Sequence, residues 1–434
     1  MLYILKNQQY RNLFLAQVIA LVGTGIITIA LALQAYHFST GHSTEILGII
    51  LAIKMLAYIF IGPFFSAYIE KFSKKTALII LDSIRASCVI ALPFVSELWQ
   101  VYLLVFTLQS ASAVFTPTFQ AIIPSILPQE KDYIRALSLS RFAYDLENIV
   151  SPILTGLLLA IMSYHQLFLV AVIGFLGSIF FVWHTAIPTI KYRQQSPFKR
   201  MQQGAKIYFK TPQLRGLILL NLAIAAASAI VIVTTVSIVK SHFSMNTQAI
   251  TWAYTAFGLG SMLAAFSLPS ILEKYKDRNV MCIGAALLTL SLFIGEFIQS
   301  YRELLCLWFI LGVSLSITET PIGNIINRSS TDQTRPTLFS AQFAFSHACW
   351  LICYPLVGYS SHLGMSFCFL MMSVIALGSL ITTLIFWKSE KIAIEHKHDD
   401  LAPDHPHLVM HCQHGVHKHE IQIDEYHQEW FKKG

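Results

Sequence analysis

Long stretches almost free of charge alternate with short polar segments along nearly the whole chain. Between Asn12 and Trp387 twelve apolar stretches fall at roughly 12–36, 45–68, 76–95, 99–122, 138–161, 164–186, 214–239, 248–270, 279–299, 303–324, 338–360 and 364–387. Each is close to or beyond the roughly 20 residues a helix needs to cross a bilayer. Helices apolar on every face need lipid or protein around them. The pattern predicts an all-α membrane protein with twelve transmembrane helices. The first stretch, after Lys6 and Arg11, is too long for a signal-peptide core and is expected to be retained.

Composition agrees: 55% of the 434 residues are hydrophobic, 12% are charged, and the mean hydropathy is +0.59. The positive residues set an orientation. With both termini cytoplasmic, the inner loops gather Lys71, Lys74, Lys75, Lys131, Lys274, Lys276 and Arg278, while the outer loops hold Lys240 and Arg302. The positive-inside rule then predicts a multi-pass protein of the cytoplasmic membrane with N and C termini inside. The net charge of +7 reflects these loops, and no nucleic-acid partner is implied. Six of the seven cysteines fall in or near apolar stretches, where they read as small packing residues, and no disulfide framework emerges.

The two halves of the chain resemble each other. Glu70-Lys71-Phe72-Ser73-Lys74-Lys75 follows the second stretch, and Glu273-Lys274-Tyr275-Lys276-Asp277-Arg278 follows the eighth. Thr116-Pro117 in the fourth is matched by Thr320-Pro321 in the tenth, and Phe142-Ala143-Tyr144 by Phe343-Ala344-Phe345. Three matches in one order at nearly one offset predict two homologous six-helix bundles. Their boundaries are 1–186 and 214–387, with a central linker at 187–213 and a polar tail at 388–434. A substrate site is expected between the bundles near mid-membrane.

These residues resemble the major facilitator superfamily. The loop after the second helix is similar to the motif G-x-x-x-D-[RK]-x-G-[RK]-[RK], with Glu70 as the acid and Lys71, Lys74 and Lys75 as bases. It departs at Ser66 and Ser73, where the family has glycine. Ser151-Pro152-Ile153-Leu154-Thr155-Gly156 resembles the exporters' G-P-x-x-G-G stretch without its first glycine. Tyr10-Arg11-Asn12-Leu13-Phe14 and Ala121-Ile122-Ile123-Pro124 look most like the drug, siderophore and metal efflux branch. The resemblance implies two pseudo-symmetric six-helix bundles of the major facilitator fold. The linker is basic and carries Pro188, Pro197 and Pro212; an amphipathic helix around Met201–Phe209 is expected on the inner membrane surface.

Ionisable residues inside a membrane cost at least ~2.5–3.5 kcal/mol each, so they point to mechanism. Lys54, Asp145, Glu147, Glu319 and His347 are the candidates for transport and coupling. Lys54 and Glu319 have no opposite charge within a helical turn of sequence. Glu319 directly precedes Thr320-Pro321, where the proline ring frees a backbone carbonyl, and is the leading candidate to carry a coupling proton. Asp145 can pair with Arg141 four residues away, while Glu147 points about 200° from Asp145. His347 reads equally as a packing residue or a cavity group. Asp82 and Arg85, three apart, are expected to pair and to join Glu70, Lys71, Lys74 and Lys75 in an inner gate. No phosphate-binding loop or catalytic constellation appears, so an enzyme is not expected; energy should come from a proton gradient.

The tail is different in kind. From Lys388 to Gly434 it holds nine of the sixteen histidines, including His396/His398, His405/His407 and His417/His419 at i, i+2, with His411, Cys412 and His414 between them. Imidazoles with a thiolate suit Ni²⁺, Co²⁺ or Zn²⁺, and the spacing fits no closed structural zinc site. A moderate-affinity divalent-metal site is therefore expected there, with no required cofactor elsewhere. The tail resembles the His-rich C termini of nickel-resistance exporters. The sequence reading is thus a monomeric, proton-coupled exporter of divalent metal ions such as nickel or cobalt. Its rivals are efflux of a siderophore or drug with the tail as a metal sensor, and a non-transporting membrane metal receptor.

Overall fold

Helix ends follow local chemistry. Asn7 accepts hydrogen bonds from the backbone N–H groups of Gln9 and Tyr10, which opens the first long helix. Ser300 and Glu303 form a reciprocal capping box at the start of the tenth. The computed structural model describes residues 2–39, 41–62, 64–65, 73–120, 122–187, 197–331, 334–387, 394–395, 412–413 and 416–419.

These residues form twelve long helices at the expected places. The first six are α1 (Gln8–Phe38), α2 (Ser43–Leu56, continued by a π-helical turn at Ala57–Ile61), α3 (Lys74–Ala91), α4 (Leu98–Gln120), α5 (Glu130–Leu159) and α6 (Tyr164–Trp183). The second six are α7 (Pro212–Ala229, extended through π turns at Ile230–Thr234 and Ile238–His242), α8 (Thr247–Leu272) and α9 (Asp277–Ile294), then α10 (Tyr301–Glu319, resuming at Ile322–Arg328), α11 (Arg335–Ser360) and α12 (Met365–Phe386). Ten are long and apolar enough to cross a membrane. The other two, α5 and α11, have the length, at 30 and 26 residues, but carry more polar side chains. Their exteriors are apolar as lipid requires: Leu157, Ile173, Phe180, Phe266, Ile283 and Val374 are all exposed. Exposed Trp99, Trp183 and Trp252 sit near helix ends, where an interfacial belt is expected.

The internal repeat reappears as packing. In the first half α1 packs on α5 and α6, α3 on α4 and α6, and α2 on α4; in the second half α7 packs on α11 and α12, α9 on α10 and α12, and α8 on α10. Small residues permit the closest crossings, as membrane helices require. Gly260 of α8 faces the Phe309 carbonyl of α10, where an added Cβ would stand 2.1 Å from the oxygen; Gly312 meets the Phe257 carbonyl in return.

Between the bundles, α2 packs on α11 and α5 on α8. The short turns after odd-numbered helices share one end of the molecule, here the far end; the lysine- and arginine-rich segments share the other, the basic end. At the far-end half of the seam Gly48 lies against the Tyr354 carbonyl and Gly358, and Gly156 against Thr251.

The linker helix (Pro197–Lys210) is docked on the second bundle: Tyr208 is fully buried and donates to Gln342 of α11, and Gln342 donates to Asn221 of α7 at 3.2 Å. Gly204 rests on the Thr337 carbonyl. At the end of α12, Trp387 packs on Gly216 and its carbonyl accepts from Arg278 Nε at 2.6 Å. In the tail, three short antiparallel strands, β1 (Ile394–Glu395), β2 (Cys412–Gln413) and β3 (Val416–His419), pair in the order β1-β3-β2.

Inside the first bundle lies an enclosed ion pair. Arg85 Nη1 donates to Asp82 Oδ1 at 2.7 Å, and Nη2 donates to Thr24 Oγ1 at 3.2 Å. The guanidinium also lies 4.2 Å from the Phe175 ring centroid and 5.0 Å from that of Phe115. Asp82 is 0% and Arg85 4% exposed, so removing one partner strands a buried charge. Asp82→Asn or Arg85→Met alone should cost about 3–5 kcal/mol, and the double variant clearly less. Melting in detergent checks this; equal losses for single and double variants would contradict it. Gly260→Ala should cost about 1–3 kcal/mol by the same measurement, because a backbone carbonyl must move.

Candidate functional site

One face of α11 looks across the seam. Phe343, His347, Trp350, Tyr354 and Gly358 recur at steps of four, three, four and four, which keeps them on a single stripe. Tyr58 of α2 stacks on His347 with ring centroids 5.3 Å apart and planes 15° apart, and lies 5.8 Å from Phe343. His347 stacks on Phe343 at 3.8 Å and meets Trp350 edge-on at 5.3 Å, and Trp350 stacks on Tyr354. The result is a continuous aromatic wall in the middle of the seam. The Trp350 indole N–H is buried and meets no acceptor among the described residues.

Charge enters the same region. Lys54, one turn before Tyr58, is half-buried, engaged by its surroundings, and within electrostatic reach of His347. His347 Nδ1 lies 2.7 Å from the Phe343 carbonyl. A carbonyl only accepts, so Nδ1 carries the proton and Nε2 of the neutral ring is the acceptor. On another helix, Glu319 is half-buried and engaged by its surroundings, as the last residue of α10 before the break at Thr320-Pro321. From Tyr301 at the far end, eighteen residues of helix put Glu319 about 27 Å along α10. Lys54, eleven residues from Ser43, lies about 16 Å along α2.

At the far end of the seam sits a cluster that the sequence reading missed. His42 Nδ1 lies 3.3 Å and His362 Nε2 2.8 Å from the same oxygen of Glu45. The imidazoles are 4.8 Å apart. His42 and Glu45 begin α2; His362 lies in the turn between α11 and α12, 317 residues from Glu45. A histidine three residues before a glutamate at a helix start was a faint local signal, but nothing local pointed to His362. Tyr36 and Ser241 meet nearby at 3.4 Å, joining α1 to α7.

The remaining expected residues are dispersed. Asp145 and Glu147 lie about four turns into α5, because the helix begins at Glu130 and not near 138; their side chains lie outside the described residues. Asp82 and Arg85 are inside the first bundle, two to three turns above the start of α3. Glu70 and Lys71 lie outside the described residues. Lys74 is half-buried and engaged at the start of α3. Lys75 donates to the carbonyls of Trp183 and Thr185, tying α3 to the end of α6 within one bundle. In the second bundle Arg328 pairs with Asp277 at 2.7 Å, joining α9 and α10 at the basic end. Of the tail ligands, His396, His398, His405, His407, His411 and His414 lie outside the described residues. Cys412 is the register partner of His417, and His419 that of Ile394. A cavity of about 300 Å³ lined by Gln34, His37, Tyr164 and His165 belongs to the first bundle and not to the seam.

Comparison with known proteins fits this arrangement. The sequence pattern of the Major Facilitator Superfamily matches residues 13–233 and 217–406. The enterobactin exporter EntS of Escherichia coli O1:K1 / APEC is 22% identical over 293 residues, 65% of this chain and 69% of that protein. Macrolide efflux protein A of Streptococcus pyogenes is 23% identical over 222 residues, 49% of this chain; the match spans about half of that protein, 54%. Among solved structures, a mutant of the nucleoside transporter NupG superposes with a TM-score of 0.71 at 14% identity, covering 88% of this chain and 100% of that one. A POT family transporter bound to a thioalcohol-conjugated peptide gives 0.67 at 15% identity, covering 87% and 95%. These likenesses at low identity speak to the fold alone. Two six-helix halves repeating one packing scheme, joined by a basic linker and matched over nearly their whole length by one family, place this chain in the Major Facilitator Superfamily of membrane transporters.

Proposed function

We propose that this transporter exports an amphiphilic organic molecule through the seam between its bundles, driven by protons. The observation that carries this reading is the aromatic wall of Tyr58, Phe343, His347 and Trp350, with half-buried Lys54 beside it. Aromatic faces bind apolar bodies with little entropy cost, and the Trp350 N–H offers a polar handle. A metal path needs converging ligands instead. Among the described residues, the group of three with that character lies at the end of the seam and not at its middle. Relatives named for macrolide efflux and enterobactin export favour the organic reading and the direction.

The mechanism follows from alternating access. With the basic end cytoplasmic, as the positive-inside rule requires, the contacts at Gly48 and Glu45 close the outer side of the seam in this form. Substrate enters from the cytoplasm or inner leaflet and rests on the aromatic wall. Glu319 takes the coupling proton on the other half of the cycle. A carboxyl whose surroundings alternate between wet and dry alternates in proton affinity, and this exchanges proton for substrate. One chain supplies both halves of the path, so a monomer suffices. Lys74 and Lys75 brace the cytoplasmic side.

Cells carrying the protein should tolerate macrolides, siderophores or related amphiphiles better than cells without it. Tyr58→Ala with Trp350→Ala should cut that efflux about tenfold at unchanged expression. Glu319→Gln should abolish proton-driven transport in proteoliposomes while substrate binding persists; normal driven transport by this variant sinks the coupling role.

A second reading, metal efflux, rests on the tail, where antiparallel pairing sets Cys412 opposite His417. On this reading linked weak sites raise the local metal concentration at the cytoplasmic mouth. A peptide of residues 395–427 should bind Ni²⁺, Co²⁺ or Zn²⁺ at neutral pH and release it near pH 5 as imidazoles protonate. Truncation after Trp387 should leave a folded transporter, since Trp387 is itself docked on Gly216, with lower metal tolerance. No calorimetric signal from the peptide at neutral pH would remove this reading.

A further inference from the structure

We propose that His42, Glu45 and His362 form a binding site for a divalent transition-metal ion, such as Zn²⁺, that locks the two bundles together at the far end of the seam. The nitrogen and oxygen donors all lie within 4.8 Å of one another. Ligand atoms around a tetrahedral Zn²⁺ with ~2.1 Å bonds stand about 3.4 Å apart, so modest side-chain rotation converts the hydrogen-bonded trio into a coordination shell. The two shortest separations, 2.8 and 3.3 Å, already bracket that spacing around Glu45 Oε2. Two imidazoles and one carboxylate suit Zn²⁺, Ni²⁺ or Co²⁺; Ca²⁺ and Mg²⁺ prefer sites made of oxygen alone. The side chains are 60%, 35% and 34% exposed for His42, Glu45 and His362, so an ion reaches them from solvent and water completes the fourth position.

The position gives the site its consequence. Two ligands belong to the first bundle and one to the second, and directly beneath them Gly48 touches the Tyr354 carbonyl and Gly358. An ion held by all three cannot stay bound when that end opens, because His362 leaves with its bundle. Metal therefore binds the closed form and not the open one. At a free concentration one hundred times the dissociation constant, the closed-to-open ratio rises about a hundredfold. The site acts as a metal-operated brake on alternation, whatever the substrate and without the tail.

The test uses the full chain in lipid nanodiscs, spin-labelled at Glu97→Cys and Gln299→Cys, exposed positions on far-end turns of the two bundles. Exposed Cys306 and tail Cys412 are replaced by serine in every sample. Zn²⁺ should collapse the distance distribution onto its short component. His42→Ala with His362→Ala should lose that response or need at least about tenfold more Zn²⁺, and so should Glu45→Gln, which keeps the shape and removes the charge. The histidine variant still carries the tail, so an identical response there would assign the effect elsewhere and overturn the proposal. No narrowing by Zn²⁺ in the parent overturns it as well. Equal narrowing by Mg²⁺ would remove the transition-metal assignment. Narrowing on acidification in metal-free buffer, without a Zn²⁺ response, would replace the metal site by a proton-operated latch.

Discussion

The contact between Gly48 and Gly358 governs what the rest of the molecule can do. An added Cβ at Gly48 would lie 2.7 Å from the Tyr354 carbonyl and 3.1 Å from the Gly358 Cα, so α2 and α11 approach here as closely as backbones allow. That approach fixes the relative height of the two helices. One turn toward the far end it brings Glu45 to His362, and toward the basic end it lays Tyr58 on His347. Lipid offers no hydrophobic drive for helices to associate, so this packing and the polar contacts along it must hold the seam. A seam held by small residues and a few polar links separates at modest cost. Alternation requires such a seam.

The irregular helices are found along this same seam. The π turn at Ala57–Ile61 follows Lys54, and the π turn at Ile230–Thr234 of α7 packs against both α2 and α11. Inserted residues of this kind release backbone groups and often mark functional segments. Within the bundles the contacts are of another type. Gly260 and Gly312 interlock α8 with α10, and the Asp82–Arg85 pair is enclosed by Thr24, Phe115 and Phe175.

Periodicity carried the fold into the sequence. Twelve apolar runs and the paired Thr-Pro steps read directly as two repeated bundles, because membrane helices must be apolar over a fixed length whatever they contact. The i, i+3 spacing of Asp82 and Arg85 also predicted their pairing. It could not predict the enclosure, because Thr24, Phe115 and Phe175 come from three other helices. The aromatic stripe on α11 was present in the spacing of Phe343, His347, Trp350 and Tyr354, but a stripe alone does not say whether lipid, core or cavity lies opposite. Tyr58 supplies that answer from α2. The docking of Tyr208 on Gln342 and Asn221 stayed hidden for the same reason: an amphipathic helix shows that it has an apolar face and not what covers it.

Burial separates the charges into two kinds. Asp82 and Arg85 are sealed on all sides by one bundle, and a rigid-body swing of the bundles leaves their surroundings unchanged. Removing one member of such a pair strands the other as a buried charge, which holds the two side chains together. Lys54 and His347 are half-buried instead and lie where α2 meets α11. Their solvation changes whenever the seam opens or closes, and with it the free energy of holding a charge or proton. Linkage then works in both directions: the group's protonation biases the seam, and the seam biases the proton. On the proposed proton-coupled cycle, ionisable groups on the seam are the ones whose charge state the motion can change. The histidines and glutamate at its far end obey the same rule with a metal ion in place of the proton, since their donors come together only when the bundles do.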